Sequence, residues 1–319
     1  MLTAYRVAGH ALERDADLDG DALWIDVDAP QDDEAAELSR RFAIAIPARE
    51  DMAEIESSSR YYARGDALYM AVRTVASSQE PPARLNDLAF ILTPERLLTV
   101  HYEPIRALAL YDAAARAGER KCQWPATIFV GIVEAIIDRL ADILEYAAQG
   151  LETVSADVFN RVNAKPIRGE DFNRFLSRIH DVDDVAAKAR ISLTSIERML
   201  AFFSSAAHVE SLKPVKARLK TAQRDLTSLA EQIGYLEGKT QFLMDATLGL
   251  IGVDQNNVMK VLSVVSVMLM PPTLLAGIYG MNFAYMPELT SRIGYPIVLG
   301  LMIAFAAGSY AWFRRKGWI

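Results

Sequence analysis

Two runs without a single charged side chain govern what this chain can become. Val261 to Gly280, VLSVVSVMLMPPTLLAGIYG, is uncharged for 20 residues, and Tyr295 to Phe313, YPIVLGLMIAFAAGSYAWF, is uncharged for 19. About 20 apolar residues in a helix cross the hydrocarbon core of a bilayer, so both runs are read as transmembrane helices. A pair of buried core helices would also be apolar, but basic residues bracket this pair. Lys260 precedes the first run, and Arg314, Arg315 and Lys316 follow the second. Positively charged flanks stay on the cytoplasmic side. Both ends of the hairpin are therefore expected in the cytoplasm, and residues 282–294 outside the cell or in the periplasm.

The rest of the chain excludes several classes of function. Its formal net charge of −7 and the lack of a gathered basic face argue against nucleic acid as a partner. Cys122 is the single cysteine, so it forms no intramolecular disulfide and no thiolate metal site by itself. The opening MLTAYRVAGHALERDAD lacks a basic segment followed by an apolar core, and no cleavable signal is expected. GYLEGKT, Gly234 to Thr240, resembles a nucleotide loop but has three residues between its glycines where that loop has four. No strand is read before it, so no nucleotide partner is assigned. His10, His101, His180 and His208 are scattered without the spacing of a zinc site.

Residues 1 to about 120 read as a mixed α/β domain. ALWIDVDAP alternates like a half-buried strand, and QDDEAAELSRRFAI has a helical period with acids in its first turn. SRYYARGDALYMAVRTV predicts a hairpin turning at Arg64 to Asp66, and LNDLAFILTPERLLTVHYE a second turning at Thr93 to Arg96. From about residue 126 the pattern changes to two helices of over 30 residues each, with a break around Lys165 to Gly169. No proline lies between Pro214 and Pro271, so a third helix is expected to run from about residue 215 through the first apolar run. Such a rod needs neighbours along most of its length.

One face of that helix is unusual. Steps of four and three from Asp245 give Gly249, Gly252, Asn256, Met259, Ser263, Ser266, Met270, Thr273, Gly277 and Gly280. This spacing marks one side of a supercoiling helix, yet it carries glycine, hydroxyl, amide and thioether groups where a coiled coil carries Leu and Ile. Every serine and threonine between 261 and 280 falls on it. Close packing of membrane helices also uses small residues. Asp245 and Asn256 suit a wetted path better. One chain supplies too few helices to enclose a pore, so the wet reading requires a homo-oligomer.

The segment after the stripe carries a resemblance. YGMNF, followed after two residues by MPEL, lies between the long helix with its MPPT and a last span ending in basic residues and KGWI. The pattern resembles the CorA family of magnesium and divalent-cation transporters. The resemblance implies a homopentamer in a lipid membrane, passing Mg²⁺ and often Co²⁺ or Ni²⁺ passively through a pore lined by the first span. By matching position, Gly280, Met281 and Asn282 are the selectivity filter, and Glu288 is an external carboxylate that attracts cations. Asn256, Met259, Met270 and Thr273 face the pore, and Asp245 is an acidic ring low in it. Ser263, Ser266 and Gly277 share their stripe.

Mg²⁺ gives up water reluctantly, and a carboxylate cage would bind it too tightly for passage. Amide oxygens of Asn282 can instead accept hydrogen bonds from the ion's bound waters. Asn282 can equally be a helix-terminal residue that only satisfies backbone groups. Closure by cytoplasmic Mg²⁺ between neighbouring subunits is also implied by the resemblance, with Asp51 at the regulatory acid's position. Its stalk partner falls on Thr221, a departure from the family pattern, and Asp225 is the substitute one turn on. Asp51 can equally be a plain first-turn helix acid. No cofactor is expected, and the chain is not read as an enzyme.

The expected architecture is an α+β membrane protein. It has a cytoplasmic α/β domain (1–120), a helical hairpin packing on the stalk (121–214), a stalk helix (215–260), a pore-lining span (261–281), an external loop (282–294), a second span (295–313) and a basic cytoplasmic tail (314–319). The alternatives are a zinc or cobalt transporter of the same superfamily, and a membrane-anchored metal sensor without transport.

Overall fold

The computed structural model describes the chain except at residues 9–10, 16–17, 19–21, 55, 78–82, 121, 162–168, 207–212, 283–285, 287–291 and 319. The expected break at Lys165 to Gly169 lies outside the described residues as far as residue 168.

Seven strands form one sheet: β1 (Leu2–Ala8), β2 (Ala11–Asp15), β3 (Trp24–Asp28), β4 (Tyr61–Arg64), β5 (Ala67–Ser77), β6 (Arg84–Leu92) and β7 (Leu97–His101), in the order β2-β1-β3-β7-β6-β5-β4. Among the described residues, only β3 and β7 pair in parallel. Gly65 has φ +61° in the turn between β4 and β5, a conformation costly for any residue with a Cβ. The β6–β7 turn closes with the Thr93 N–H donating to the Arg96 carbonyl at 2.9 Å.

Both faces of the sheet are covered. On one face Ile25, Val27, Tyr69, Ala71, Ile91 and Val100 pack with Leu38 of α1 (Asp32–Phe42) and Met52 of α2 (Arg49–Ala53). Glu34 ties down the start of α1 by accepting the Gln31 N–H at 3.1 Å. The alternate residues point to the other face, where Phe90 stacks edge-on with Phe129 and Phe129 meets Phe203 at 4.5 Å. Phe129 lies on α5 (Pro125–Arg161) and Phe203 on α6 (Gly169–Ser205), while α4 (Arg106–Arg116) brings Tyr111 against Trp24. A four-residue α3 (Ser57–Arg60) precedes β4.

This double cover corrects the reading of ALWIDVDAP as a half-buried strand. Of its acids, Asp26 is largely covered and Asp28 is partly exposed, and both are tied to the neighbouring strand. Trp24 Nε1 donates to Thr99 Oγ1 at 2.9 Å, Thr99 donates to Asp26 Oδ1 at 2.5 Å, and His101 Nε2 lies 3.4 Å from Asp26. Asp28 lies 3.4 Å from His101 Nδ1. Burial alone would lower the His101 pKa, but the hydrogen bond and charge of Asp26, with the charge of Asp28, outweigh it and raise the pKa. A raised folded value means the charged imidazolium stabilises the fold below about pH 6.5 and that this contribution is lost as pH rises through the raised value. His101→Gln should therefore lower the melting temperature, relative to wild type, more at pH 6 than at pH 9. Equal losses at both pH values would remove the charge from this account.

Gly131 of α5 fixes the approach of that helix to α4. A Cβ there would lie 2.5 Å from Tyr111 Cε2. The ring cannot swing clear, because Tyr111 is 2% exposed, packs on Trp24 and bonds Cys122 Sγ through its hydroxyl at 3.4 Å. Gly131→Ala gains about 1 kcal/mol of helix propensity yet is expected to destabilise by about 1–3 kcal/mol through overpacking, read by chemical denaturation. A stabilised variant would contradict this packing.

Helix α7 runs unbroken from Lys213 to Tyr279, 67 residues, and α8 spans Gly294–Arg315. The chain divides into two compact units, one of residues 1–160 and 173–244, the other of 161–172 and 245–319. The boundaries near 120 and 214 mark a change of element type, while sheet, α5, α6 and the first part of α7 share one core. Within that unit Arg218 holds Glu134 through two bonds of 2.8 and 2.7 Å, Arg190 holds Glu237 through two of 2.7 Å, and Lys239 pairs with Glu152.

Candidate ion path

The second unit contains the outer part of α7 and the whole of α8. Val267 shares a groove with Ala304, Phe305, Gly308, Ser309, Trp312 and Phe313, so α8 lies on the Val267 side of α7. Among the described residues from 260 to 315, Val264 and Phe313 are the buried ones. At about 100° per residue, Ser263, Ser266, Met270, Thr273 and Gly277 centre roughly 140° around the helix from buried Val264 and about 80° from Val267. All five are exposed in the single chain, as are Asp245, Gly249, Gly252, Asn256 and Met259. A Cβ added at Gly249, Gly252 or Gly277 would meet nothing within 4 Å. The stripe thus faces away from the chain's own second span.

Two of its three hydroxyl groups are already oriented. Ser266 donates to the Leu262 carbonyl at 2.8 Å and Thr273 to the Leu269 carbonyl at 2.7 Å. With each proton committed to the helix, the hydroxyl presents oxygen lone pairs outward. An acceptor surface suits a cation that arrives inside its own water shell, because that shell offers hydrogens. Pro271 and Pro272 lie within α7 and are half-buried, on the α8 side of the helix by the same rotation. Ser266 does not reach the Val267 or Met268 carbonyls that the prolines leave without a donor.

At the end of α7 the Gly280 N–H donates to the Ala276 carbonyl at 2.9 Å and the Met281 N–H to the Ile278 carbonyl at 3.3 Å. A Cβ on Gly280 would lie 3.0 Å from the Ala276 oxygen, tight enough that only glycine closes this turn without adjustment. Met281 and Asn282 follow, both exposed. Glu288, the expected external carboxylate, lies outside the described residues.

The two candidate regulatory acids sit on the first unit. Asp51 accepts the Ala48 N–H at 3.0 Å, the role of a first-turn helix acid, and its side chain is exposed. Asp225 is exposed on α7, and Thr221, one turn before it, donates to the Ala217 carbonyl of its own helix at 3.4 Å. Asp225 lies close enough to Asp138 of α5 that its charge helps raise the Asp138 pKa, after burial and Glu134 and Asp142, against Arg120. No group of three His, Cys, Asp or Glu side chains among the described residues is arranged to hold a metal within one chain. His101 is engaged by Asp26 and Asp28, His180 is exposed, and His10 and His208 lie outside the described residues.

Comparison with known proteins now decides the family. The profile described as CorA-like Mg²⁺ transporter protein matches residues 19–315. The chain belongs to the CorA family. It is 32% identical to the magnesium transport protein CorA of Sodalis glossinidius over 100% of both chains, and 31% identical to that of Escherichia coli K12, again over 100% of both. Among solved structures it matches the complete CorA magnesium transporter of Methanocaldococcus jannaschii with a TM-score of 0.80 at 21% identity, covering 100% of this chain and 99% of that one. Full-length CmaX matches with a TM-score of 0.69 at 16% identity, covering 99% and 97%. The CorA fold is therefore that of the whole chain, and the family is one of transporters rather than enzymes. Among the described residues two helices, Val215–Tyr279 and Gly294–Arg315, are long and apolar enough to cross a membrane, as expected of such a transporter.

The sequence did not reveal the Trp24, Thr99, Asp26 and His101 chain or an arginine-lined cavity between β4, β5 and α6. The bonded pairs of that chain lie 73 or 75 positions apart, and Arg60 and Arg73 lie far in sequence from Arg190 and Arg198, so only the parallel β3–β7 pairing or the α6 packing brings them together.

Proposed function

We propose that this chain is a Mg²⁺ influx channel of the inner or plasma membrane that works as a homopentamer with both termini in the cytoplasm. The observation that carries this is the acceptor-rich stripe of α7, turned away from α8 and uncovered in the single chain. Copies of the helix around one axis turn each stripe position into a ring. Gly280 ends the helix tightly, Asn282 offers uncharged oxygens at the mouth, and Glu288 raises the local cation concentration by long-range attraction. Hydrated Mg²⁺ is the principal cargo, with Co²⁺ and Ni²⁺ also carried. The membrane potential supplies about 2.3 kcal/mol per elementary charge per 100 mV, roughly twice that for a divalent ion. No nucleotide hydrolysis is needed.

Closure follows Mg²⁺ binding between neighbouring subunits, with Asp51 of one and Asp225 of the next as the candidate ligands. Their separate, exposed positions in one chain suit a site shared between copies. Asp245 forms an acidic ring low in the path.

The test is Mg²⁺-dye influx into proteoliposomes carrying the purified protein under an imposed inside-negative potential. Influx that rises with the potential and needs no nucleotide is the expected result. Vesicles that assemble the protein yet pass no ion would favour a tethered sensor.

A further inference from the structure

Between β4, β5 and α6, wholly within the first unit, lies a cavity of about 260 Å³. Four arginines reach its wall, Arg60, Arg73, Arg190 and Arg198, and the lining described contains no carboxylate. Two acids stand behind the wall. Asp87 lies 3.3 Å from Arg73 Nε and 3.5 Å from Arg60 Nη2, and Glu237 takes Arg190 through two bonds of 2.7 Å. That bidentate pairing occupies the Arg190 fork. Asp87 serves two guanidiniums at the edge of bonding distance.

Arg60 is the informative member. Its side chain is only 9% exposed, yet Nε and Nη2 are buried without a hydrogen-bond partner. A buried guanidinium with two nitrogens left without a hydrogen bond is costly, and proteins seldom retain one without a use. Burial, together with the charges of Arg73 and Arg198 and against those of Tyr61 and Asp87, pulls its pKa below the ordinary arginine value. The wall itself is held in place. Tyr61 donates its hydroxyl hydrogen to the Ser195 carbonyl at 2.9 Å, and the Arg73 N–H donates to Ser195 Oγ at 3.1 Å.

We propose that this cavity is a binding site for an oxyanion of the phosphate class, gripped by Arg60 with Arg73 and Arg198. Planar guanidinium forks match tetrahedral oxyanions through paired N–H donors, and three of them converge from the end of α3, from β5 and from α6. The volume lies just below the roughly 300–1,000 Å³ of sites for larger small molecules. It therefore takes a phosphate group, with any ester extending through the open mouth. Free phosphate and the phosphate of a nucleotide share this chemistry. Neither a glycine loop nor a helix N-terminus takes part, so the rejection of GYLEGKT as a nucleotide loop is unaffected. A bound anion joins β4 and β5 to α6 and stabilises that unit by mass action.

Calorimetric titration of the full-length protein in detergent with sodium phosphate, without divalent ions and at ionic strength fixed with chloride, tests the site. Saturable binding is expected, together with a phosphate-dependent rise in melting temperature. Arg198 is exposed, so Arg198→Ala should change the anion-free melting temperature far less than Arg60→Gln and weaken phosphate binding at least about tenfold. Arg60→Gln should weaken it as much, and Arg60→Lys less. Titration with ATP in place of phosphate identifies the source: tighter binding that phosphate displaces supports a nucleotide, and no tighter binding supports the free ion. Phosphate heats no larger than those of chloride, or unchanged affinity in both Arg198→Ala and Arg60→Gln, would overturn the proposal.

Discussion

Asn282→Ala is expected to cut Mg²⁺ influx at least tenfold while leaving the assembled protein and its melting temperature unchanged. Asn282 is exposed beyond the last turn of α7, and among the described residues no hydrogen bond ties its side chain to the helix. Its loss should therefore register in transport and not in stability. Each amide oxygen that no longer accepts from the ion's water shell forfeits about 1 kcal/mol. A ring of such positions acts on one ion, so the barrier rises by more than the 1.4 kcal/mol that corresponds to about tenfold in rate. Asn282→Asp should fail differently, binding the ion more tightly and slowing its release. Full influx through Asn282→Ala would leave residue 282 as a helix terminator only. Proteoliposome dye influx, paired with thermal melts of the same preparations, separates these outcomes.

Thr273→Lys is expected to abolish divalent influx altogether. Thr273 lies on the exposed stripe with its hydroxyl hydrogen given to the Leu269 carbonyl. An ammonium about 5 Å from a divalent ion costs on the order of 7 kcal/mol at an effective dielectric of about 20, and every subunit adds one. That exceeds the driving force of a 100 mV potential, about 5 kcal/mol for a divalent ion. Thr273→Val is the companion variant, since it keeps the shape and removes the oxygen. It should slow influx without stopping it. Normal influx through Thr273→Lys in a protein that still assembles would move the path away from this face.

Much of this was legible because charge and period are local properties. The two spans, the length of α7 and both hairpins follow from uncharged runs, the gap between Pro214 and Pro271, and turn residues such as Gly65. The stripe was legible for the same reason, as its spacing lies along one helix. What was hidden depends on which elements meet. Asp26 and Asp28 alternate with apolar neighbours as surface acids do, and only the parallel pairing of β3 with β7 places them beside Thr99 and His101. Arg60 and Arg198 are separated by 138 positions of chain, and nothing local marks them as neighbours. Asp51 and Asp225 raise a different difficulty: each is exposed in one chain, and a shared site needs a second copy.

The central claim is that identical copies of α7 meet around a wet axis with residues 263, 266, 270 and 273 turned toward it. Single-cysteine accessibility tests this most directly. The native thiol, Cys122, is buried with its pKa pushed up by that burial, so its background labelling is low. Cysteine is placed at Ser266 or Thr273 on the stripe, and at Val265 about 100° away from Ser266, and a water-soluble charged thiol reagent is added during Mg²⁺ influx. The account expects labelling and block of influx at 266 and 273, with disulfide-linked dimers on oxidation, and none of these at 265. Protection of 266 and 273 from the reagent, or a particle containing a single chain, would contradict it.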